Sequence, residues 1–564
     1  MKPEYDVIIT GGGLAGLTLS IQLKLNKPDI KILVLERRKD VAPTSAHKVG
    51  ESTVELGSHY LRETLGLKDY LEAHELPKYG LRFFFKSNTK EDITSRVELG
   101  PRKWLYTPSH QLDRGTLENH LAENTIARGT TVLLNAAAKD VAFGEEYHTV
   151  TYTQGGEEKT ATARWVADAS GRGSLLKRKL GFQKPMEHHT NAVWWRLKGV
   201  IDIDNWSEDQ TWKNIPVTGL RYLSTVHFMD KGYWVWVIPL GSKNTSIGIV
   251  ADPAIHPFET FDTYEKSIEW LKVNEPLCYK MLEPETKNKM DFKILKHYAH
   301  HTGRLYDGKD RWGVTGEAGA FLDPFYSPGT DFISMNNTWL SDLILRELNG
   351  EDVSFRAEIY EQTHLALVDS WIPIYKDKYT LMGNTQIMVA KILWDWAIYW
   401  AVPSLLFTNK AFTDLRLLKQ LFAAPDSLGR RFGKLHEQVQ QLFLDWGPHD
   451  NQVFERRYID PVDLSYMLEF QGGIPNQHGD KLVERISQNM EMLEKIAAEI
   501  FRRVSHEVKG TPMDMKVDPY TMVLDAENKL NLPEVSDDKA VPRDERIIND
   551  VATMWFYAEK EPVA

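Results

Sequence analysis

Tyr5-Asp6-Val7-Ile8-Ile9-Thr10-Gly11-Gly12-Gly13-Leu14-Ala15-Gly16 is the stretch whose reading decides the fold. A short apolar, β-branched run breaks into glycines, and Leu17-Thr18-Leu19-Ser20-Ile21-Gln22-Leu23 continues as a helix. Gly11 permits the tight turn, Gly13 lets the backbone approach a pyrophosphate, and Gly16 lets helix and strand pack closely. The N–H groups at the helix start, around Leu14 and Ala15, then face phosphate oxygens with the helix dipole behind them. A second strand, 30–35, ends in Glu36, where a carboxylate meets a ribose hydroxyl, with Arg37 beside it. Strand, glycine loop, helix, strand and acid in that order predict a dinucleotide site.

With 564 residues the chain exceeds one usual core, so two or three subdomains are expected. A hydrophobic share of 42% and a charged share of 26% are those of an ordinary globular protein. A net charge of −11 argues against a nucleic-acid-binding surface, which needs basic patches. The single cysteine, Cys278, excludes a disulfide framework and a cysteine-based metal site, and no metal is called for. Met1-Lys2-Pro3-Glu4 runs straight into the first strand, so no signal peptide is expected and a cytoplasmic enzyme is the default. The densest tryptophan group lies in 387–407, with Trp394, Trp396 and Trp400. Lys391, Asp395 and Pro403 interrupt it, which favours a buried helix or aromatic substrate wall over a membrane span.

Further along, Glu75-Leu76-Pro77-Lys78-Tyr79-Gly80-Leu81-Arg82-Phe83 places Lys78 at a strand entrance, because Pro77 keeps Leu76 extended. A helix begins near Arg114 and is closed by Gly129. A strand ends at Asp168, followed by Ala169-Ser170-Gly171. Residues 185–300 read as antiparallel strands, and Trp234-Val235-Trp236-Val237 puts both indoles on one face. A strand at 311–315 returns to the nucleotide fold and leads into Gly316-Glu317, then into 321–332; a helix is expected from Asn336 to about Leu348. From Ser354 onward the pattern is helical, most clearly over 482–504. The expected class is α/β: a Rossmann-like domain (1–184 and 301–350), an inserted antiparallel sheet (185–300) and a helical C-terminal extension (351–564).

These residues resemble the flavin-dependent halogenases of the FAD-monooxygenase superfamily. The superfamily likeness rests on Gly11, Gly13, Gly16, Glu36, Arg114, the Asp168 turn and the Gly316 loop, across residues 5 to about 345. It implies FAD as cofactor, used reduced with O2 and a halide, with Leu14, Ala15, Arg37, Glu51, Ser52, Glu317 and Thr330 also at the cofactor. Glu317 departs from the usual Gly-Asp at that loop. Three features separate halogenases from hydroxylases. Trp234-x-Trp236-x-Ile238-Pro239 resembles the signature that lies beside the flavin. Phe321-x-x-Pro324-x-x-Ser327-x-Gly329 resembles the stretch between flavin and halide, which implies halide contacts at Ser327, Gly329 and Thr330, because Pro328 has no N–H. Lys78 matches the catalytic lysine, which holds hypohalous acid or becomes a haloamine and aims the halogen at a bound ring.

One departure constrains the substrate. Tyr326 stands where tryptophan halogenases carry a glutamate, so free tryptophan is disfavoured, whereas phenols and pyrroles are activated by their own heteroatom. The resemblance implies an electron-rich aromatic substrate and a separate NAD(P)H-dependent flavin reductase, since no second complete glycine motif is present. It leaves open whether the substrate is free or tethered to a carrier protein. An FAD monooxygenase, a reductase of a lipid-like substrate and a non-catalytic flavin-binding protein use the same N-terminal residues and stay open at this point. If Tyr326 sets the preference, Tyr326→Glu raises turnover on indoles relative to phenols; an unchanged ratio in competition assays assigns specificity to the C-terminal helices.

Overall fold

The computed structural model describes residues 2–43, 50–216, 220–422, 424, 426–450, 455–524 and 535–556. β1 (Tyr5–Thr10), α1 (Leu14–Asn26) and β2 (Ile32–Leu35) form where the glycine motif places them. The first sheet runs Tyr306–Asp307, Trp312–Val314, Glu157–Asp168, β1, β2, Thr131–Leu133. Its central strands are parallel, and Val7, Ile8, Ile9 and Ile32 to Leu35 are buried, as both-face coverage requires. Thr10 sits opposite Leu35 and Asp168, and Asp168 opposite Val314, so the carboxyl ends of four strands meet at one crevice.

Glycine is required at two points of this motif. Gly11 has φ +125°, and a Cβ there would lie 2.2 Å from the Ala169 carbonyl oxygen. A Cβ on Gly16 would lie 2.0 Å from the Gly11 carbonyl oxygen, which is why the helix can rest on the turn only with glycine there.

The second sheet holds Lys293–Lys296, Asn191–Lys198, Asn244–Ala251, Tyr233–Pro239, Thr225–Asp230, Leu81–Phe84, Glu98–Leu99 and Tyr458–Ile459, in that order. Residues 185–300 therefore supply its bulk, but strands from both sides of that span complete it. Period-two alternation sorts the strand Tyr233–Pro239 between two cores. Trp234 and Trp236 join the main core, while Val235 and Val237 pack with Val193, Trp195 and Phe228 in a second one.

Two elements differ from the sequence reading. The helix expected from Asn336 begins at Gly329, because Pro328 fixes φ for helix entry and can sit ahead of the first turn at no hydrogen-bond cost. The helical stretch after Val54 is broken into Glu55–His59, a π-turn at Tyr60–Thr64 and Lys68–His74, with Gly66 at positive φ between them.

C-terminal helices Ser354–Tyr375 and Thr385–Tyr399 bring Trp371, Tyr375, Trp396 and Tyr399 to one cavity. The charges inside the tryptophan-rich segment neutralise each other: Lys391 Nζ lies 2.5 Å from Asp395, both buried. Among the described residues no helix is long and apolar enough to cross a membrane.

Candidate functional site

Two cavities share one wall. The larger is the crevice at the strand ends, lined by Gly11, Gly13, Leu14, Ala15, Glu36, Arg37, Glu51, Ser52, Arg114, Gly316, Glu317 and Thr330. Ser327, Gly329, Phe321, Pro324, Trp234 and Trp236 line it as well. The second is a chamber lined by Lys78, Glu55, Asp331, Tyr326, Trp371, Tyr375, Trp396, Tyr399 and Trp400, among others. Pro328 lines both, so the segment 326–331 divides its side chains between them.

The crevice fits an FAD. Gly13 caps α1 without any side-chain hydrogen bond, so the first-turn amides remain for phosphate oxygens. Glu36 accepts from the Gly12 amide at 2.8 Å and from the Arg38 amide at 2.8 Å, which fixes the carboxylate at the end of β2. Glu51 is held by Arg196 (Nε to carboxylate, 2.7 Å), and burial raises its pKa against that attraction. The Ser52 hydroxyl lies 2.8 Å from that of Thr225. Arg114 donates to Glu118 at 2.7 Å from the first turn of its helix.

Two predicted cofactor residues sit beneath the crevice. Gly16 packs on the Gly11 turn. Asp168 is fully buried and accepts from the Ser170 amide, the Leu176 amide and the Thr10 hydroxyl, so it shapes the turn that faces the crevice. Pro239 lines neither cavity; Ile238 lines the crevice in its place.

At the dividing wall, Tyr326 and Ser327 have φ of +72° and +60°, and Gly329 opens a twenty-residue helix. Pro328 offers no side-chain cap, so the amides of Gly329 and Thr330 are left for an anion at the dipole's positive end. Space above Gly329 is open: among the described residues nothing lies within 4 Å of a Cβ built there.

Lys78 lies on the chamber side, on the strand Leu76–Lys78 paired with Ser109–Gln111. It is 4% exposed, and Nζ donates to the Thr53 carbonyl at 2.6 Å. Burial pushes its pKa down to about 7, against the attraction of Glu55 and Asp331. An amine and an ammonium are thus both accessible near neutral pH. Tyr326, also on the chamber side, donates to Asp395 at 2.8 Å, and the Lys391 ammonium sits 5.7 Å from its ring.

Several residues that organise this site escaped the sequence reading. Asp323 is fully buried and accepts from His188 (2.7 Å), Tyr298 (3.0 Å) and Tyr379 (2.8 Å). Tyr379 in turn accepts from the Trp234 indole at 2.9 Å, so one carboxylate pins the tryptophan wall. Asp323 lay inside the Phe321–Gly329 stretch, and its Asp-Pro dipeptide was the available signal. Glu55 and Asp331 gave none, because their partners come from distant segments, whereas Tyr399 belongs to the aromatic group at 387–407 that reads as a buried helix or substrate wall.

A model of the FAD-binding domain family matches residues 4–249. A flavin-dependent halogenase of Dictyostelium discoideum is 29% identical over 498 residues, 79% of this chain and 80% of that protein. A chlorinase of pyrrole-2-carbonyl groups on a peptidyl-carrier protein, from Pseudomonas fluorescens, is 25% identical over 62% of this chain and 78% of its own length. Among solved structures, halogenase PltM in complex with phloroglucinol and FAD superposes with a TM-score of 0.63 at 17% identity, covering 86% of this chain and 97% of PltM. That structural likeness bears on the fold.

Gly13→Val tests the cofactor cradle. Its φ of −92° and ψ of −170° suit valine, so the fold should persist while the side chain fills the pyrophosphate's place. Retained flavin, read from absorbance of the purified protein, should fall by on the order of 10²-fold or more, the effect of overfilling a packed site by a few kcal/mol; undiminished flavin would refute the cradle.

Proposed function

We propose that this chain, a member of the flavin-dependent halogenase family by its FAD-binding domain and its relatives, halogenates an electron-rich hydroxylated aromatic or pyrrole-like small molecule. The observation that carries this reading is the buried Lys78 amine on the far side of one turn from the FAD crevice. Reduced FAD, when bound, supplies with O2 and halide the oxidising power that turns chloride, bromide or iodide into an electrophile. The rest falls to the chain's own residues.

Gly329 and Thr330, with the Ser327 turn, hold the halide at the helix start, where the amides and the dipole favour an anion. Trp234 and Trp236 keep substrate out of the crevice. Trp236 donates to Ser246 at 3.2 Å and Trp234 is tied to Tyr379, so neither indole swings aside easily. Lys78 receives the halogen as hypohalous acid or as a haloamine and presents it to the ring bound among Trp371, Trp396 and Tyr399.

Relatives favour the substrate class: one acts on a carrier-bound pyrrole, and PltM was captured with a phenol, phloroglucinol. Tyr326 in the glutamate's place argues against free tryptophan. A carrier-tethered substrate fits the first of these relatives. Reducing equivalents come from a separate NAD(P)H-dependent flavin reductase, and the protein works in the cytoplasm. An FAD hydroxylase has no need of a buried lysine across the wall, which ranks that alternative second.

Lys78→Ala with a phenol and pyrrole panel separates these readings. Oxygen uptake with reduced FAD should continue while halogenated product, read by mass spectrometry, falls about 10²- to 10⁴-fold, the usual worth of a positioned acid–base group. Lys78→Arg should recover little, because arginine stays protonated. In the parent enzyme, product per O2 should fall as pH drops through about 7, since protonation removes the amine. Near-parent halogenation by Lys78→Ala would make Lys78 a structural residue.

A further inference from the structure

Three carboxyl groups line the chamber with Lys78, and two of them are engaged. Asp331 accepts from the Gly57 amide at 2.7 Å and from the Tyr399 hydroxyl at 2.9 Å. Asp395 accepts from Lys391, from Tyr326 and, at 2.7 Å, from the Gln440 amide. Glu55 is different: it is 5% exposed and meets the Trp400 indole and its own backbone amide, with Lys78 as the cation acting on it.

The backbone that carries Glu55 is rigid. It opens the helix Glu55–His59, whose next two amides are tied down, Leu56 to the Tyr399 hydroxyl at 3.0 Å and Gly57 to Asp331. Among the described residues lining the chamber, Lys78 is the one cation, Asp395 is paired with Lys391 and Asp331 is held by the Gly57 amide and the Tyr399 hydroxyl, and the lining holds no arginine. Such a chamber suits a neutral, flat, hydroxylated ring and offers no second cation for an acidic substrate.

We propose that Glu55 is a further catalytic residue, the acceptor of the hydroxyl proton of a phenolic substrate bound against Lys78. The proposal deepens the reading of the preceding subsection and rests on it. The phenolic O–H bond breaks toward the Glu55 carboxylate, and the oxygen's electron pair enriches the ring. A ring carbon forms its bond to halogen while the nitrogen–halogen bond of the Lys78 haloamine breaks, leaving its pair on nitrogen. That nitrogen takes the proton from Glu55 and the amine is restored. The substituted carbon then loses its hydrogen as a proton and the ring oxygen regains one, so the ring is oxidised by two electrons and the halogen reduced. Glu55 supplies the acceptor that Tyr326, bound to Asp395, does not. Burial raises the Glu55 carboxyl above the ordinary carboxylate range, which strengthens the ionised form as a base.

The test compares the parent enzyme, Glu55→Gln and Glu55→Asp on two phenols, counting halogenated product per O2 consumed. One phenol has ordinary acidity; the other is acidic enough to be ionised at the assay pH. Glu55→Gln should lose on the order of 10²-fold on the ordinary phenol and only a few-fold on the ionised one, as removal of a general base requires. Glu55→Asp should recover part of the loss on the ordinary phenol. Equal losses on both phenols, or no loss on either, would overturn the proposal while leaving the halogenase reading intact. A parent enzyme that halogenates pyrroles but neither phenol would overturn the phenol substrate class and this role together.

Discussion

The turn Tyr326-Ser327-Pro328 is the constraint on which the site depends. Two successive non-glycine residues at positive φ cost roughly 1 kcal/mol or more each, and the surrounding structure must hold them there. Asp323 does so from one side, accepting the Phe325 amide at 2.9 Å, and Asp395 from the other, through the Tyr326 hydroxyl. Because the turn is held, the helix starts at Gly329 with uncapped amides facing the crevice, while Tyr326 and Asp331 face the chamber. One short segment thereby separates the crevice from the chamber, which we propose as the cofactor's and the substrate's spaces with the halide held between them.

The second sheet supplies the other boundary. Trp236 fits flat only because Gly248 faces it across the strand pair; a Cβ there would lie 2.3 Å from the indole. Trp234 is fixed through Tyr379 to Asp323, the same carboxylate that steadies the turn. The tryptophan wall and the dividing turn are therefore one hydrogen-bonded unit, contributed by a sheet strand, the segment after the Gly316 loop and the first C-terminal helices.

Local physics made the cofactor half legible in the sequence. The glycines, the apolar runs of β1 and β2, and Glu36 all act within forty residues of one another, so spacing alone placed them. The paired indoles were legible for the same reason, since a strand's period of two is local. Lys78 stood out through resemblance and through Pro77, but its burial depends on the chamber closed by Trp371, Trp396 and Trp400, nearly three hundred residues or more downstream. Glu55, Asp331 and Asp323 stayed hidden because each acquires its role from partners in other segments, and an isolated acid reads as a solvated one. The helix start at Gly329 was missed because a Ser-Pro-Gly run signals a turn, and here the proline serves as the entry to the helix.

Anomalous diffraction at the bromine edge tests the central claim most directly, on crystals of the FAD-loaded protein grown with bromide. The expected result is a peak at the first-turn amides of Gly329 and Thr330, beside Ser327 and across the turn from Lys78. A fully occupied flavin with no bromide at that helix start, or with bromide bound only on the chamber side, would contradict it.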